Sequence, residues 1–425
     1  MTDPFFAGLI ASQDGGEKRG IASVCSAHPL VLEAALTRGA KVGELVLIEA
    51  TCNQVNQERG YTGMTPADFR AFVLGIAEKV GFPQERLILG GDHLGPNPWR
   101  HLPSEAAMEK AHAMMAAYAA AGFTKIHLDA SMSCADDSSP LSDETIATRA
   151  AALAATAELN AEGRDLSYII GTEVPVPGGA TEHVEHLTPT GPDDAARTIE
   201  LHRRAFSAAG ISNIFERVVG LVVQPGVEFG HANVIIYEPA PAQSLSEARR
   251  DFGLVYEAHS TDYQSPEALR QLVRDGFAIL KVGPWLTFAL REALYGLDLI
   301  SEEMVGRSGL KVGMEALMVR EPKHWERYYP GDASAQRLQR HYSYSDRIRY
   351  YWAMPEAQRL VDELLTRFGD TAIPETLVSQ YLPQLWPEVV KGQLGPMARN
   401  LLLATVQRVL DIYGTATSTA QGEKA

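Results

Sequence analysis

The chain of 425 residues carries a formal net charge of −15, and 45% of its residues are hydrophobic and 21% charged. This composition is typical of a soluble globular protein, and the negative charge argues against nucleic acid or an anionic membrane surface as a partner. No apolar stretch reaches the roughly 18 residues of a transmembrane helix, and no signal peptide is recognisable. Three widely spaced cysteines suit a reducing compartment, so we expect a cytoplasmic protein.

Short apolar runs rich in β-branched residues alternate with amphipathic stretches of helix length from residue 21 to about residue 297. This alternation is the pattern of a parallel sheet wound by helices. The predicted strands cover residues 21–28, 44–51, 86–93, 124–131, 166–173, 216–224, 253–259 and 277–283. The clearest helices between them cover residues 65–80, 104–120 and 142–161. Eight strand–helix units favour a closed (β/α)8 TIM barrel over an open doubly wound sheet.

The pattern changes after residue 300, where strand signals stop. An aromatic-rich stretch over residues 327–352 is followed by helical patterns over 356–368 and 397–414. We therefore predict three parts, with a disordered tail because the last residues are small and polar. These parts are the barrel in residues 1–300, a helical C-terminal extension in 301–414 and the tail in 415–425.

Polar side chains end every predicted strand, which is where a TIM barrel carries its functional groups. Ionisable groups at the end of apolar strands would be costly to bury without partners, so we expect them to serve a ligand. The residues predicted to bind substrate are Ser26, Glu49, Asn53, Gln224, Glu257 and Lys281. The candidate catalytic residues are Asp92, Asp129 and Glu173.

Three histidines, His93, His231 and His259, would converge from the third, sixth and seventh strands. Three imidazoles that leave an open coordination position describe a catalytic divalent-metal site. Asp92 could then act as a general base toward a substrate hydroxyl. The alternative, that these are hydrogen-bonded histidines at strand ends, stays open. His127 shares its strand face with Asp129 and is interpreted as a hydrogen-bonded core histidine.

No glycine-rich loop of the common phosphate-binding types occurs in the sequence, which argues against ATP chemistry. Gly178 and Gly179 could shape a loop over the mouth of the barrel. His183 and His186, in a polar segment beside them, are expected at the surface.

Four segments resemble the GatZ/KbaZ family of tagatose-bisphosphate aldolase subunits: IEATCNQVNQ, LILGGDHLGPNPW, KIHLDASMSCADD and YEAHSTDYQ. The resemblance extends from residue 20 to about residue 410. Members of this family have also been labelled tagatose-6-phosphate kinases, but the missing ATP loop gives that label no support. The family is similar in turn to class II, zinc-dependent ketose-bisphosphate aldolases, which are (β/α)8 barrels, so the resemblance implies Zn²⁺ as the divalent ion.

The resemblance to class II aldolases implies roles for several residues of this chain. Asp92 and His93 match the catalytic base and a metal ligand, His231 and His259 match the later metal ligands, and Asp129 is placed near the substrate. The phosphate-binding half departs from the pattern. Ser260-Thr261-Asp262 stands where those aldolases have a glycine-rich phosphate loop, and Lys281 to Trp285 replaces a polar phosphate grip. An acid there would repel a phosphate dianion, so we expect weak phosphate affinity.

The sequence and the resemblance together leave two possible functions. The resemblance implies a subunit, in an oligomer, that stabilises and activates a catalytic class II tagatose-bisphosphate aldolase chain in galactitol or N-acetylgalactosamine catabolism, with the helical extension as partner surface. The alternative is a stand-alone metal-dependent ketose epimerase or aldolase that acts by retro-aldol chemistry on a sugar with little or no phosphate. Both predict a small sugar or sugar-phosphate ligand. A pure scaffold fits least, given the many acids and histidines at strand ends.

Overall fold

The computed structural model describes residues 3–172 and 187–418, and within them eight parallel strands close into a barrel. A two-stranded antiparallel hairpin, β7 and β8, follows the sixth barrel strand. The strands are β1 (Ile21–Val24), β2 (Val46–Thr51), β3 (Leu87–Leu94), β4 (Lys125–Leu128), β5 (Ser167–Ile170), β6 (Val218–Val223), β7 (Glu228–Phe229), β8 (Val234–Ile235), β9 (Val255–Ala258) and β10 (Phe277–Val282). The barrel order is β1-β2-β3-β4-β5-β6-β9-β10, with β10 paired to β1, so the predicted TIM barrel is confirmed.

Helices surround the barrel and continue beyond it. They are α1 (Pro4–Asp14), α2 (Pro29–Val42), α3 (Pro66–Val80), α4 (Ser104–Ala120), α5 (Asp143–Asn160), α6 (Pro192–Ala208), α7 (Ser212–Phe215), α8 (Pro239–Phe252), α9 (Pro266–Arg274), α10 (Pro284–Val305), α11 (Leu310–Arg320), α12 (Ala333–Tyr342), α13 (Pro355–Phe368), α14 (Glu375–Tyr381), α15 (Trp386–Val390) and α16 (Ala398–Thr417). None of these helices is both long and apolar enough to cross a membrane.

Local sequence signals explain where these helices begin and end. In α3, Thr65 accepts a hydrogen bond from the Asp68 backbone and Asp68 accepts one from the Thr65 backbone, which makes a reciprocal capping box. Pro66 occupies the first turn, where its missing N–H costs nothing. Gly81 ends the helix in the left-handed region at φ 69°, a conformation that a Cβ would disfavour.

Helix α1 closes the end of the barrel opposite the strand carboxyl ends, and the sequence did not predict it. Its side chains Phe6 and Leu9 are buried in a cluster with inward-facing residues of the strands, among them Leu47 and Ile88. Asp3 begins the helix by accepting a hydrogen bond of 2.8 Å from the backbone N–H of Phe5. The lower barrel interior is therefore an apolar core, and the ionisable side chains that cluster inside the barrel lie toward its upper end.

Helix α16, from the predicted extension, packs between α9 and α2 and also against α10. It thus completes the outer ring of helices that a TIM barrel needs. The Thr417 carbonyl accepts a hydrogen bond of 2.9 Å from Gly20, just before β1. The Tyr413 hydroxyl donates one of 2.7 Å to the Thr261 carbonyl, in the loop after β9. The helix runs to Thr417, beyond the predicted boundary at residue 414, and residues 419–425 of the predicted tail lie outside the described residues.

Truncating Leu402 in α16 should therefore destabilise the whole barrel. Leu402 is fully buried, so Leu402→Ala should lower the free energy of unfolding by about 2–5 kcal/mol. The matched control is Leu159→Ala, because Leu159 is 86% exposed and its loss should change stability by less than about 0.5 kcal/mol. Urea unfolding followed by circular dichroism measures both. Equal midpoints for the two variants would show that α16 does not belong to the cooperative unit.

Candidate metal centre

A cleft opens at the carboxyl ends of the barrel strands, with a volume of about 660 Å³ including its open mouth. That size lies in the range of small-molecule sites. Strand ends, the loops after them and the helical extension all contribute to its wall. The lining residues include Thr51, Asn53, Gln54, Tyr61, Asp92, His93, His259, Asp262, Lys281, Arg349 and Tyr350.

Three imidazole rings converge beside the floor of this cleft. His93 lies in β3, His127 lies in β4, and His259 directly follows β9. The ring centroids are 5.1 Å apart for His93 and His127, 4.9 Å for His93 and His259, and 5.2 Å for His127 and His259. Together with Asp92 they offer ligand atoms that all lie within 4.8 Å of one another, and all four residues are buried. The structure therefore contains a buried Asp/His3 group that could hold a metal ion.

The backbone of β3 is distorted so that two consecutive residues can serve this group. Side chains of consecutive strand residues normally point to opposite faces. His93, however, adopts a left-handed φ of 51°, at the place where the pairing of β3 with β4 shifts register between Gly91 and Leu94. Such a conformation is costly for a residue other than glycine and is concentrated at functional sites. As a result both Asp92 and His93 line the cleft.

Each of the three rings is held by a carboxylate on one of its two nitrogens. A carboxylate in that position fixes the orientation of an imidazole and raises its strength as a ligand through the other nitrogen. The pairs are His93 Nδ1 with Asp129 Oδ2 at 2.7 Å, His127 Nδ1 with Asp92 Oδ1 at 3.0 Å, and His259 Nε2 with Glu257 Oε1 at 2.9 Å.

These contacts leave Nε2 of His93 and Nδ1 of His259 for a ligand. Nδ1 of His127 lies 3.0 Å from Asp92 Oδ1 and also 3.1 Å from the backbone nitrogen of His93, so Nε2 of His127 offers a lone pair in the tautomer whose Nδ1 proton faces Asp92. The Nε2 atom of His127 is buried and has no hydrogen-bond partner among the described residues. A buried polar atom without a partner is costly, and a bound cation would relieve that cost. Three imidazole nitrogens with one nearby carboxylate fit a divalent transition-metal ion.

Two lysines hold the surrounding carboxylates in place. The ammonium of Lys125 lies 2.6 Å from Glu49 and 2.7 Å from Glu257, and these three side chains are fully buried. The ammonium of Lys281 lies 2.7 Å from a second oxygen of Glu49 and 2.7 Å from Asp92. Charges buried in this way are tolerated only when they are paired, and each of these five groups has at least one partner of opposite charge.

The charges around the cleft set the protonation of its groups. Burial alone would raise the pKa of Asp92, but the charges of His93 and Lys281 outweigh it and hold that pKa well below its usual value. Burial would likewise lower the pKa of Lys281, but Asp92 and the other acids raise it well above its usual value. Burial lowers the pKa of His259 to about 3, so this ring is neutral and offers a lone pair.

His231, predicted as the third ligand, lies elsewhere. It occupies the turn between β7 and β8, where its Nδ1 is 3.1 Å from the hydroxyl of Ser345 and its ring packs edge-on against Tyr329 at 5.2 Å. The hairpin thus directs His231 toward the helical extension, and the described structure does not bring it to the Asp/His3 group. His127, interpreted from the sequence as a core histidine, is the third imidazole of the group that could hold a metal ion.

The residues predicted to bind substrate divide into several groups. Asn53 and Lys281 line the cleft. Glu49 and Glu257 are fully buried in the ion pairs with Lys125. Ser26 lines an adjoining cavity.

Gln224 does not line the cleft. Its side-chain oxygen accepts hydrogen bonds of 2.8 Å from Gly226 N and 3.0 Å from Val227 N, because it closes the turn after β6. Glu173, predicted as a base or further ligand, lies outside the described residues. The segment with Gly178, Gly179, His183 and His186 lies outside them as well.

Sequence reasoning missed Lys125 and Arg349 as site residues. Lys125 shares its strand face with His127 and Asp129, and a lysine on an inward face of an apolar strand was a signal that could have been used. Arg349 lies in the short 3-10 helix Arg347–Tyr350 of the extension, and no motif in that aromatic-rich stretch connects it with the barrel.

Comparison with known proteins gives a consistent picture. A family model described as D-tagatose-1,6-bisphosphate aldolase subunit GatZ/KbaZ-like matches residues 6–418. The crystal structure of a probable tagatose 6 phosphate kinase from Sinorhizobium meliloti 1021 is 56% identical, with a TM-score of 0.87, and the match covers 94% of this chain and 100% of that chain.

Two remoter structures also match. The fructuronate-tagaturonate epimerase UxaE from Cohnella laeviribosi is 14% identical over 94% of this chain and 82% of its own, with a TM-score of 0.47. The YdjI aldolase from Escherichia coli K12 is 12% identical over 87% of this chain and 97% of its own, with a TM-score of 0.42. Sequence identities and TM-scores this low support no conclusion about the function of this chain.

Single replacements distinguish the two possible sets of ligands. His127→Gln should weaken the binding of a divalent ion by about 100-fold or more, since loss of a ligand should exceed the effect of losing an outer-shell partner. His231→Gln should leave that affinity within about threefold of the unchanged protein, as should the control His101→Gln at an exposed position. Calorimetric titration of metal-stripped protein with Zn²⁺ measures all three. Loss of the ion in the His231 variant alone would mean that the β7–β8 hairpin swings into the cleft to bind it.

Proposed function

This chain belongs to the GatZ/KbaZ-like family, and from this premise we propose that it is itself a metal-dependent enzyme that cleaves and re-forms a carbon–carbon bond of a small ketose. The observation that carries the proposal is the group of three imidazoles, each supported by a carboxylate, beside an open cleft. In a barrel that served only as a scaffold, the buried Nε2 of His127 without a hydrogen-bond partner would bring no benefit.

We propose Zn²⁺ as the ion, because it prefers few ligands and accepts imidazole nitrogen together with carboxylate oxygen. His93, His127 and His259 would hold it through the nitrogens that face away from their carboxylates. An ion held there would act as a Lewis acid on the carbonyl oxygen of a bound sugar.

Asp92 is suited to remove the proton from a substrate hydroxyl. Its Oδ1 atom is occupied by Lys281 and His127, whereas the closest charged partner of Oδ2 is His93 at 3.8 Å. Oδ2 is therefore the oxygen that can face a substrate. The charges of His93 and Lys281 hold the pKa of Asp92 well below its usual value, so the carboxylate is ionised at neutral pH and has a lone pair for a proton.

In the proposed retro-aldol step, Asp92 takes the proton of the C4 hydroxyl and C4 becomes an aldehyde as the bond between C3 and C4 breaks. The electron pair moves to C3 and onto the oxygen of the C2 carbonyl. The Lys281 ammonium lines the cleft and supplies positive charge near this oxygen-rich site. Rotation of the aldehyde and re-addition return the proton from Asp92 to the C4 oxygen and invert C4. For a cleavage, the proton held by Asp92 would instead be delivered to C3, which turns the enolate into a neutral ketone before both fragments leave.

A second role, as accessory subunit of a catalytic aldolase chain in sugar catabolism, is favoured by the surface of the extension. Val312 and Val319 are 74% and 54% exposed and lie seven residues apart on one face of α11. Leu338, on the adjacent helix α12, is 54% exposed. Exposed apolar side chains grouped in this way are typical of association surfaces.

Replacing Asp92 tests the enzymatic role. With Zn²⁺ bound, Asp92→Asn should slow C4 inversion or cleavage of a ketohexose or its monophosphate by about 10²- to 10⁴-fold, because the base is lost. The control Asp251→Asn, at an exposed position, should keep full activity. In D₂O, the product should retain hydrogen at C4, since no C–H bond breaks there. Deuterium at C4, seen by NMR, would contradict retro-aldol chemistry.

The accessory role predicts association through the extension. A catalytic class II aldolase chain should co-purify with this protein, and Val312→Glu with Val319→Glu should abolish that association while the midpoint of thermal unfolding is kept. Co-purification that survives both replacements would place the contact elsewhere. A partner whose rate is unchanged by this protein would contradict the accessory role.

A further inference from the structure

Arg349 lies in the wall of the cleft, and the carboxylates of Asp262 and Asp346 act on its charge only from beyond ion-pair distance. Its Nη1 donates hydrogen bonds to the backbone carbonyls of Ser345 and Asp346, and its Nη2 donates one of 2.8 Å to the hydroxyl of Tyr350. Among the described residues it makes no ion pair, in contrast to Lys125 and Lys281. A partly buried guanidinium without a carboxylate is a site for an anion.

The guanidinium is held rigidly, which lowers the cost of binding. It lies over the ring of Tyr350 at 4.4 Å from the centroid, and that ring packs edge-on against Tyr61 at 5.0 Å. Tyr61, in the loop after β2, lines both the cleft and the adjoining cavity, as Arg349 does. The extension and a barrel loop thus meet at Arg349 and fix the orientation of its guanidinium group.

The position at which a TIM barrel commonly binds phosphate is already filled by the chain itself. At the N-terminus of α10, the Asp262 carboxylate accepts hydrogen bonds of 3.0 Å from Gly283 N and 2.8 Å from Trp285 N. These N–H groups are the ones that an anion would otherwise bind. Asp262 therefore takes the place of a ligand anion and would repel one that approached the helix.

We propose that Arg349, supplied by the helical extension, binds the anionic end group of the substrate, and that the substrate is a ketose with a single phosphate or carboxylate group. This inference rests on the proposed function for its substrate, but the anion site itself does not. The barrel loops would then have given up anion binding to the extension. The Arg349 fork suits both a phosphate and a carboxylate, since each offers two oxygens to a guanidinium.

Binding of simple anions tests the site without any assumption about catalysis. Inorganic phosphate and gluconate are titrated into the Zn²⁺-loaded protein by calorimetry, one for each source of the anion. At least one of them should bind, and Arg349→Gln should weaken that binding by about 10- to 100-fold, as expected for charge-assisted hydrogen bonds. Arg349→Lys should recover part of it. The control Arg307→Gln, at an exposed position, should bind as the unchanged protein does.

Binding of neither probe, or equal binding by Arg349→Gln and the unchanged protein, would overturn the proposal. The midpoint of thermal unfolding of each variant shows whether it folds, and Arg349→Lys keeps the test valid should Arg349→Gln be unstable.

Kinetics separates this inference from the proposed function. If the protein is active, Arg349→Gln should lower kcat/KM for an anionic ketose by about 10- to 100-fold. The same replacement should change kcat/KM for a neutral ketohexose by less than about threefold. An equal loss for both substrates would contradict the anion role. An inactive protein that still binds an anion through Arg349 would refute the enzymatic function and leave the anion site standing.

Discussion

Lys125 is fully buried inside the barrel, with its ammonium between the carboxylates of Glu49 and Glu257. Glu257 in turn holds His259, and Glu49 shares Lys281 with Asp92, so the ion pairs extend to the imidazole cluster. Removal of one partner from a buried pair costs about 3–5 kcal/mol, because the remaining charge is left without compensation. The geometry of the Asp/His3 group therefore depends on this ion-pair network as a unit, and residues outside the group determine where its imidazoles point.

The extension is part of both the fold and the site. Its last helix, α16, closes the ring of helices between α9 and α2, and Tyr413 holds the loop that follows β9. Its 3-10 helix brings Arg349 into the cleft. A barrel without residues 301–414 would lose an outer helix and the cationic wall of the cleft together, and the family model likewise spans both parts, over residues 6–418.

The sequence was sufficient for the eight strands and for placing Asp92, His93 and His259 together at one end of the barrel, because apolar periodicity and strand-end polarity are local patterns. The third imidazole of the group was beyond such reasoning. The sequence pointed to His231 and left His127 as a core histidine, and where His231 lies depends on the β7–β8 hairpin, which is a tertiary property. The position of Arg349 depends likewise on how the extension folds back, which no local pattern encodes. Helix α1 was missed because its apolar residues occur in a short segment whose partner is the barrel floor.

The central claim is that one cation lies among three imidazoles, each supported by its own carboxylate. Anomalous diffraction at the zinc absorption edge, from crystals grown with Zn²⁺, tests it most directly. We predict a single strong peak at the cluster within about 2.0–2.1 Å of nitrogens of His93, His127 and His259. A crystal saturated with Zn²⁺ that shows no peak there, or a peak bound by other residues, would contradict the account.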